Sequence, residues 1–455
     1  MLNPPWSLLV RSFVASILVA TLASCTGDGS VGTVGTNAAT RPTVAEAGTN
    51  PDGWIGAWSA APYGPFPNGP ISGVSPYDFL SNTSVLPNNE AQEQSFRMIV
   101  HPTMGGDVLR VRFSNLKGDR PVRIEPVTIA KTLVAASVQS ASAKPLTFSG
   151  SSAAIIPAGQ EIISDPVAFS YRAGESLSVS FHVVGNSGPI TWHAVSFGLN
   201  YLTQPGAGNQ TGDDLGLAFT QVNTGWFFLS GVDVYAPDYL GAVVTVGDSI
   251  TDGAYIVPTT NTRWPDFLAN RLQAAGIKMS VLNQGINSNT VTDAAIQPGQ
   301  LFKGPSAESR FDRDVLGRSK VKTLILFEGT NDLGAGVPAP VIYAGLSRIV
   351  KRAKDAGLCV LLGTVTPRLD VALGWDRGAF EPQRKALNDL IRGNTEADYI
   401  IDFERAMSVP FDSSIPNAAL FFPDLLHPNS VGFDVMAQQV PLDRLIPGAD
   451  GHCRK

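Results

Sequence analysis

The hydrophobic pattern of this 455-residue chain changes near position 239, and that change constrains its fold more than any other feature. Between about 51 and 238, apolar and polar residues alternate in short runs such as "VLRVRFSN" (108–115) and "LSVSFHVV" (177–184). Clusters of glycine, proline, asparagine and aspartate separate the runs. Alternation with a period of two is typical of antiparallel strands that bury one face. Residues 51–238 are therefore predicted to form an antiparallel β-sandwich, of a jelly-roll-like type.

From residue 239 onward, short apolar runs alternate with stretches of helical period. The runs are "AVVTV" (242–246), "SVLNQG" (280–285), "KTLILFEG" (322–329), "LCVLLGTV" (358–365) and "DYIIDF" (398–403). The helical stretches span 262–275, 339–356, 379–395 and 430–441. Strands that are buried on both faces, with helices between them, indicate a parallel sheet covered by helices. We therefore predict a three-layer α/β domain over residues 239–455.

The first 25 residues have the pattern of an export signal peptide. Arg11 precedes an apolar run over 13–23, which is too short to cross about 30 Å of hydrocarbon as a permanent helix but suits a signal sequence. The run ends in "LASC" (22–25), which resembles a bacterial lipobox, whose cysteine receives lipid after cleavage. Ordinary cleavage at small residues beside an incidental Cys25 is the alternative. We expect an exported protein that lipid on Cys25 anchors to a membrane of the cell envelope, or that is otherwise secreted.

Residues 26–50 are predicted to be a flexible linker. They contain almost no large apolar side chain, so they cannot bury enough surface to offset the entropy of folding. A flexible chain of this length spans roughly 25–30 Å. The linker would therefore hold the following domain a short distance from the membrane.

Cys359 and Cys453 are the two cysteines that remain if Cys25 carries lipid. In an oxidising compartment these two residues could form a disulfide bond that pins the C-terminal tail. The alternative is one buried thiol and one loose thiol. The sequence leaves both possibilities open.

Polar residues stand where the predicted parallel strands end. The first three strands lead into "GDS" (247–249), "NQG" (283–285) and "GTND" (329–332), and a late loop before the last helix reads "DLLHP" (424–428). In sheets of this kind, functional residues gather at the carboxyl ends of the strands. We therefore expect these four segments to share one edge of the sheet.

The residue types in the four segments suit nucleophilic attack on an ester. A serine hydroxyl needs an adjacent base at neutral pH, and His427 can take the proton of Ser249. Asp424 can accept a hydrogen bond from the other ring nitrogen and stabilise the imidazolium. The N–H groups of Ser249 and Gly285 and the side-chain amide of Asn331 can stabilise the oxyanion that attack creates.

In this order and at these spacings, the four segments resemble the sequence blocks of the SGNH superfamily, also called GDSL esterases and lipases. Ser249, Gly285, Asn331 and His427 match its four letters, and Asp424 matches the third member of its triad. The resemblance implies a flavodoxin-like α/β/α fold over roughly 239–447. It also implies a serine hydrolase that uses neither a metal nor an organic cofactor.

The resemblance extends to a secreted bacterial and fungal subgroup with a β-rich leader. It is carried by "WIGAWSAAP" (54–62) and "GWFFLSGVDVYAP" (225–237), and by "RWPD" (263–266) and "RFDRDVL" (310–316). One departure is visible, because the subgroup often has a second glycine after Gly285 where this chain has Ser288.

These features predict an exported carboxylic ester hydrolase that forms an acyl-enzyme on Ser249. Acetyl or other short-acyl esters of carbohydrates are the first expectation, because an accessory β module suits a polymeric substrate. Hydrolysis of lipid or lysophospholipid esters is the alternative, motivated by the membrane anchor. A binding lipoprotein of the cell envelope that retains the fold without turnover is a third possibility.

Composition and spacing argue against other classes of partner. The formal net charge is −6 and no run of lysine and arginine occurs, so nucleic acid is not an expected partner. The histidines outside the predicted site are His101, His182, His193 and His452, and none shows metal-ligand spacing. No metal site is therefore predicted.

Overall fold

The structure, a computed structural model, describes residues 41–69, 83–370, 374–448 and 453. The predicted signal peptide, its Cys25 and residues 26–40 of the predicted linker lie outside the described residues. The described residues belong to one compact unit, Arg41–Lys455. Among them, no helix combines the length and the hydropathy that a membrane crossing requires.

Antiparallel strands make up the first half of the described chain. In chain order they are β1 (Trp54–Ser59), β2 (Gly64–Pro65), β3 (Glu90–Val100), β4 (Gly106–Ser114), β5 (Val122–Val134), β6 (Ser137–Val138), β7 (Lys144–Leu146), β8 (Ala154–Ile156), β9 (Glu161–Ile163), β10 (Val167–Tyr171), β11 (Leu177–Pro189), β12 (Thr191–His193), β13 (Asn200–Leu202), β14 (Gln221–Asn223), β15 (Trp226–Phe227) and β16 (Leu229–Tyr235).

These strands form two main antiparallel sheets and a small third one. The first has the order β1-β16-β4-β10, with β9 beside β4. The second has the order β14-β13-β3-β11-β5-β6, with β7 and β8 beside β5, and the third has the order β15-β12-β2. Phe113 of the first sheet packs edge-on against Phe181 of the second, with ring centroids 5.2 Å apart. Antiparallel sheets in this region are confirmed, and the jelly-roll-like type stays a prediction.

A five-stranded parallel sheet forms the centre of the second half. Its strands are β17 (Gly241–Gly247), β18 (Met279–Gly285), β19 (Val321–Phe327), β20 (Cys359–Gly363) and β21 (Tyr399–Ile401). They are ordered β18-β17-β19-β20-β21, and every neighbouring pair is parallel. This 2-1-3-4-5 order is typical of the flavodoxin-like fold, which was the predicted fold. A ligand is expected outside the carboxyl ends of such strands, beside β17 and β19.

Helices connect and cover the strands of the parallel sheet, and one short helix precedes β1. They are α1 (Val44–Thr49), α2 (Ser249–Asp252), α3 (Trp264–Ala274), α4 (Ala307–Phe311), α5 (Thr330–Gly334), α6 (Ala339–Asp355), α7 (Arg377–Arg392), α8 (Phe403–Met407) and α9 (Ser430–Gln438), with a π-helical turn over Asp312–Leu316. Short 3-10 helices span Pro51–Gly53, Thr83–Val85, Pro87–Asn89, Ser140–Ser142, Asp293–Ala295, Leu301–Lys303, Ala418–Leu420 and Leu442–Leu445. A hairpin of β22 (Ser408–Val409) and β23 (Asp412–Pro416) follows α8. The four predicted helical stretches coincide with α3, α6, α7 and α9.

Helix α1 corrects the prediction that residues 26–50 form a flexible linker throughout. Thr43 and Glu46 form a reciprocal capping box, in which the Glu46 N–H donates to Thr43 Oγ1 over 3.3 Å. Ala47 is buried, and its carbonyl accepts a hydrogen bond of 3.0 Å from Trp54 Nε1. Local capping and one contact with Trp54 order this end of the segment, although its low apolar content predicted a flexible chain.

Cys359 and Cys453 form a disulfide bond, which decides between the two alternatives that the sequence left open. Cys359 is the first residue of β20, and Cys453 pairs with Pro447 in an isolated β-bridge. The disulfide joins positions that are 94 residues apart. It therefore attaches the C-terminal tail to the central sheet.

Replacing Cys453 with serine is expected to lower the free energy of unfolding by about 2–4 kcal/mol, because the unfolded chain loses a long closed loop. Urea denaturation of the oxidised wild type and of the variant measures the difference. Reducing agent should move the wild type to the midpoint of the variant and leave the variant unchanged. Equal midpoints of oxidised wild type and variant would contradict a stabilising bond.

Candidate active site

The segment after β17 presents Ser249 at the start of α2. Asp248 is the N-cap of this helix, and its side chain accepts a hydrogen bond of 2.9 Å from the Ile250 N–H. Gly247 ends the strand beside Phe327 of β19, where a Cβ atom would lie 2.4 Å from the Phe327 carbonyl oxygen. Glycine is therefore required at this position, because a side chain would collide with the backbone of β19.

Ser249, His427 and Asp424 form a continuous hydrogen-bonded chain. Ser249 Oγ lies 2.9 Å from His427 Nε2, and His427 Nδ1 lies 2.6 Å from Asp424 Oδ2. Ser249 is 5 % exposed and His427 is 7 % exposed, so both side chains are largely shielded from solvent. The structure thus brings together the three residues that the sequence predicted as a triad.

Asp424 is held in its ionised form. Burial alone would raise the pKa of its carboxyl, but the hydrogen bond with the His427 side chain and those with the backbone of Leu426 and His427 lower the pKa below its ordinary value. Asp424 Oδ1 also accepts from the N–H groups of Leu426 and His427, each over 3.1 Å. An ionised acceptor at His427 Nδ1 keeps the hydrogen there and leaves Nε2 free to accept the Ser249 proton.

Asn331 lies in the first turn of α5, directly after β19. Its Nδ2 donates a hydrogen bond of 2.8 Å to the Asn289 carbonyl. A side-chain amide carries two hydrogens on this nitrogen, so one remains for another acceptor. The contact with Asn289 therefore orients Asn331 without using up its capacity to donate.

Gly285 does not serve as the free oxyanion donor that the sequence predicted. Its N–H donates to Asn283 Oδ1 over 2.8 Å, and Asn283 Nδ2 in turn donates to the Thr251 carbonyl over 2.7 Å. A Cβ atom at Gly285 would lie 2.3 Å from the backbone nitrogen of Asp252 in α2. Glycine is required here because β18 packs directly against the helix of the nucleophile, and this is a packing role rather than a donor role.

Ser288 occupies the position where the resembling subgroup often has its second glycine. Its φ of 63° lies in the left-handed region that glycine adopts most easily. No acceptor for the Ser288 N–H occurs within the described ranges of the chain. The next residue, Asn289, contacts Asn331 through its carbonyl, so this free N–H belongs to the loop beside that predicted donor.

Arg310 is a residue of the site that sequence reasoning missed. It is fully buried, its Nη1 donates to the Gln284 carbonyl over 2.6 Å, and its Nη2 donates to the Gly247 carbonyl over 3.3 Å. Its Nε donates to Asn289 Oδ1 over 3.0 Å, and Asp314 balances its charge. Arg310 therefore ties the ends of β17 and β18 to the loop of Ser288. The motif "RFDRDVL" marked this residue, but nothing in the sequence indicated its contacts.

Three buried carboxyl groups lie beneath the site. Burial raises the pKa of Asp248 to about 7 and the pKa of Asp332 to about 7. Burial and the neighbouring Asp248 and Asp332 raise the pKa of Glu328 well above its ordinary value. Within the described part of the chain, neither oxygen of Glu328 has a hydrogen-bond partner. These groups favour their neutral forms, so ionising them opposes folding.

Replacing Glu328 with glutamine is expected to make stability less dependent on pH. A pKa that folding raises makes the folded state bind the proton more tightly, so stability falls as pH rises above the unfolded value. Glutamine cannot ionise and removes the part of this fall that Glu328 causes. Urea denaturation at about pH 5 and about pH 8 should show a smaller loss of unfolding free energy in the variant than in wild type. An equal or larger loss would contradict a neutral Glu328.

The sequence comparison agrees with this geometry. Residues 245–435 match the GDSL-like lipase/acylhydrolase family, and this range includes Ser249, Asn331, Asp424 and His427. The second half of the chain therefore contains a GDSL-like lipase/acylhydrolase domain. A search of curated proteins found no match to the chain.

Solved structures similar to this chain each align with 44 % of it. A putative lipolytic protein of the G-D-S-L family from Desulfitobacterium hafniense is 23 % identical, with 96 % of its chain covered and a TM-score of 0.34. A GDSL-like lipase from Bacteroides thetaiotaomicron is 21 % identical, with 84 % covered and a TM-score of 0.32. An acetylxylan esterase from Geobacillus stearothermophilus is 20 % identical, with 91 % covered and a TM-score of 0.32.

Proposed function

We propose that this protein is a serine esterase that hydrolyses carboxylic esters through an acyl-enzyme on Ser249. The hydrogen-bonded chain from Ser249 through His427 to Asp424 carries this proposal. The match of residues 245–435 to an acylhydrolase family supports it independently. A binding protein without turnover would not need an activated serine.

The reaction uses the three side chains in two half-reactions. Ser249 Oγ attacks the ester carbonyl carbon while His427 Nε2 takes the hydroxyl proton, and the ionised Asp424 stabilises the imidazolium. The tetrahedral intermediate collapses, the bond to the alcohol breaks, and His427 returns its proton to the leaving oxygen. Water then attacks the acyl-enzyme in the same way and releases the acid and free Ser249.

The oxyanion is stabilised by the N–H of Ser249, the side chain of Asn331 and the N–H of Ser288, which replaces the predicted Gly285. The free N–H of Ser288 and the engaged N–H of Gly285 support this choice. One such donor contributes about 2.7–4 kcal/mol to lowering the barrier. In a crystal structure of a phosphonate adduct, the phosphoryl oxygen should lie within about 3.1 Å of the Ser288 nitrogen. An oxygen bound to the Gly285 nitrogen instead would contradict the assignment.

Acetyl or other short-acyl esters of carbohydrates are the proposed substrates. The small exposed fraction of Ser249 supports a small acyl group, because a long chain needs an open apolar channel to the nucleophile. The β-rich region supports a carbohydrate as the alcohol partner, because an accessory β module suits a polymeric substrate.

Hydrolysis of p-nitrophenyl esters of increasing chain length, together with acetate release from an acetylated polysaccharide, tests the substrate class. We expect the highest kcat/KM for acetate and a steady fall with chain length. The polysaccharide should release acetate only in the presence of protein with Ser249 intact. A steep preference for long acyl chains would contradict carbohydrate esters as the substrate class and would indicate lipid esters.

Export and lipid attachment at Cys25 are also proposed. The signal-like segment 1–25 supports both, and the Cys359–Cys453 disulfide is typical of proteins from oxidising compartments. In cells that express the full chain, wild type should sediment with membranes, and the Cys25→Ala variant should not carry lipid. Wild type without lipid in intact-protein mass spectra would contradict the anchor.

A further inference from the structure

The β-rich region contacts the helix of the proposed nucleophile through a buried pair, His193 and Asp252. Asp252 is the last residue of α2, the helix that begins at Ser249. Its Oδ1 lies 3.1 Å from Nε2 of His193, the last residue of β12. Both residues are 3 % exposed. The contact joins positions 59 residues apart, one in each half of the described chain.

The two ring nitrogens of His193 both face oxygen acceptors. Nδ1 lies 2.8 Å from the Ala61 carbonyl, and Nε2 faces the Asp252 carboxylate. Each nitrogen lies within hydrogen-bonding distance of its oxygen partner, so the ring is fixed between Ala61 and Asp252.

Asp252 also contacts the loop that contains Ser288. Its second oxygen, Oδ2, accepts a hydrogen bond of 3.1 Å from the Asn287 N–H. The Asn287 carbonyl accepts from the hydroxyl of Tyr63, another residue of the β-rich region. Both peptide groups that flank Asn287 are therefore held, directly or through Asp252, by the first half of the chain.

We propose that His193 is a positioning residue for ester hydrolysis. Through Asp252, it fixes the position of the Ser249 helix relative to the Asn287–Asn289 loop. The inference rests on the proposed esterase function. It gives the β-rich region a role in the reaction itself, because the Ser288 donor on the loop and the nucleophile on the helix are both held through Asp252. A displacement of about 1 Å in such groups can lower a rate about 100-fold.

Two substitutions of His193 separate its two hydrogen bonds. The amide nitrogen of glutamine can reach the place of Nε2 and keep the contact with Asp252, whereas that of asparagine reaches only the place of Nδ1 and keeps the contact with Ala61. We expect His193→Asn to lower kcat about 10- to 100-fold with KM changed by less than about threefold. His193→Gln should retain kcat within about threefold of wild type.

His182 provides a matched control in the same region, because its Nε2 pairs with Glu93 and not with the parallel-sheet domain. His182→Asn should leave kcat and KM unchanged. Asp252→Ala removes the link to both His193 and Asn287, so it should lower kcat at least as much as His193→Asn. Since His193 and Asp252 act through one contact, kcat of the double variant His193→Asn/Asp252→Ala should stay within about threefold of kcat of Asp252→Ala alone.

Hydrogen exchange gives a reading that does not depend on activity. The peptide that contains Asn287 should exchange faster in His193→Asn than in wild type or His193→Gln. This comparison tests the contact even if kcat of the asparagine variant is too low to measure. Equal exchange in all three, equal kcat of the asparagine and glutamine variants, or additive losses in the double variant would overturn the positioning role. Absence of Ser249-dependent hydrolysis in wild type would instead overturn the proposed function. The exchange comparison would then still show whether His193 holds the Asn287 segment.

Discussion

Replacing Ser249 with alanine is expected to lower kcat for ester hydrolysis by about 10⁴- to 10⁶-fold, the range that removal of a serine nucleophile produces in other hydrolases. The hydroxyl contributes the attacking oxygen, and it lies 2.9 Å from His427 Nε2. The remaining oxyanion donors can still bind substrate, so KM should change far less than kcat. Steady-state hydrolysis of p-nitrophenyl acetate measures both constants.

Ser140→Ala is a matched control for this variant, because Ser140 is exposed in a short 3-10 helix of the β-rich region. It should behave as wild type. Both variants should show the wild-type thermal midpoint, which separates loss of chemistry from loss of fold. Retention of more than about one hundredth of wild-type kcat in Ser249→Ala would show that another group performs the attack.

Replacing Asp424 with asparagine is expected to lower kcat by about 10⁴-fold, as the equivalent change does in a serine protease triad. The amide can keep an oxygen for the N–H groups of Leu426 and His427 and then turns its NH₂ group toward His427 Nδ1. The ring must then carry its hydrogen on Nε2, where it cannot accept the proton of Ser249. The geometry of the site survives while its base is lost.

The neutral control for this change is Asp443→Asn, whose side chain is 81 % exposed. A crystal structure of Asp424→Asn should show the wild-type positions of Ser249 and His427, and kinetics should show the loss in kcat. A variant that keeps kcat within about tenfold of wild type would mean that the Asp424 charge does not set the tautomer of His427.

The parts of the fold that follow from hydrophobic period were predictable from sequence. The strands β17, β19 and β20 are continuous apolar runs, and α6 and α7 carry an apolar face. The local hydrophobic pattern therefore identifies each of these elements. The triad was predictable because Ser249 follows a strand and Asp424 and His427 stand three positions apart in one loop. The strands and helices follow from residues that are close in sequence. The triad joins residues 178 positions apart, and it was predictable because the four segments follow in the order of a known family.

Other contacts between distant residues were not predictable. The glycine at 285 was correctly singled out, but sequence cannot distinguish a glycine that frees an N–H from one that lets Asp252 approach. His193 contacts Asp252, 59 residues away, and Arg310 contacts Gly247, 63 residues away. No sequence pattern around either residue indicated its partner. Helix α1 was missed for a local reason, because the linker prediction weighed apolar content and not the capping pair Thr43 and Glu46.

Covalent labelling with a fluorophosphonate tests the central claim most directly, because the reagent reacts preferentially with activated serines. Wild type should gain one adduct, and peptide mass spectrometry should locate it on Ser249. The Ser249→Ala variant should gain none, and Asp424→Asn should react far more slowly than wild type. An unlabelled wild type, an adduct on another residue, or equal labelling of Ser249→Ala would contradict a nucleophilic Ser249.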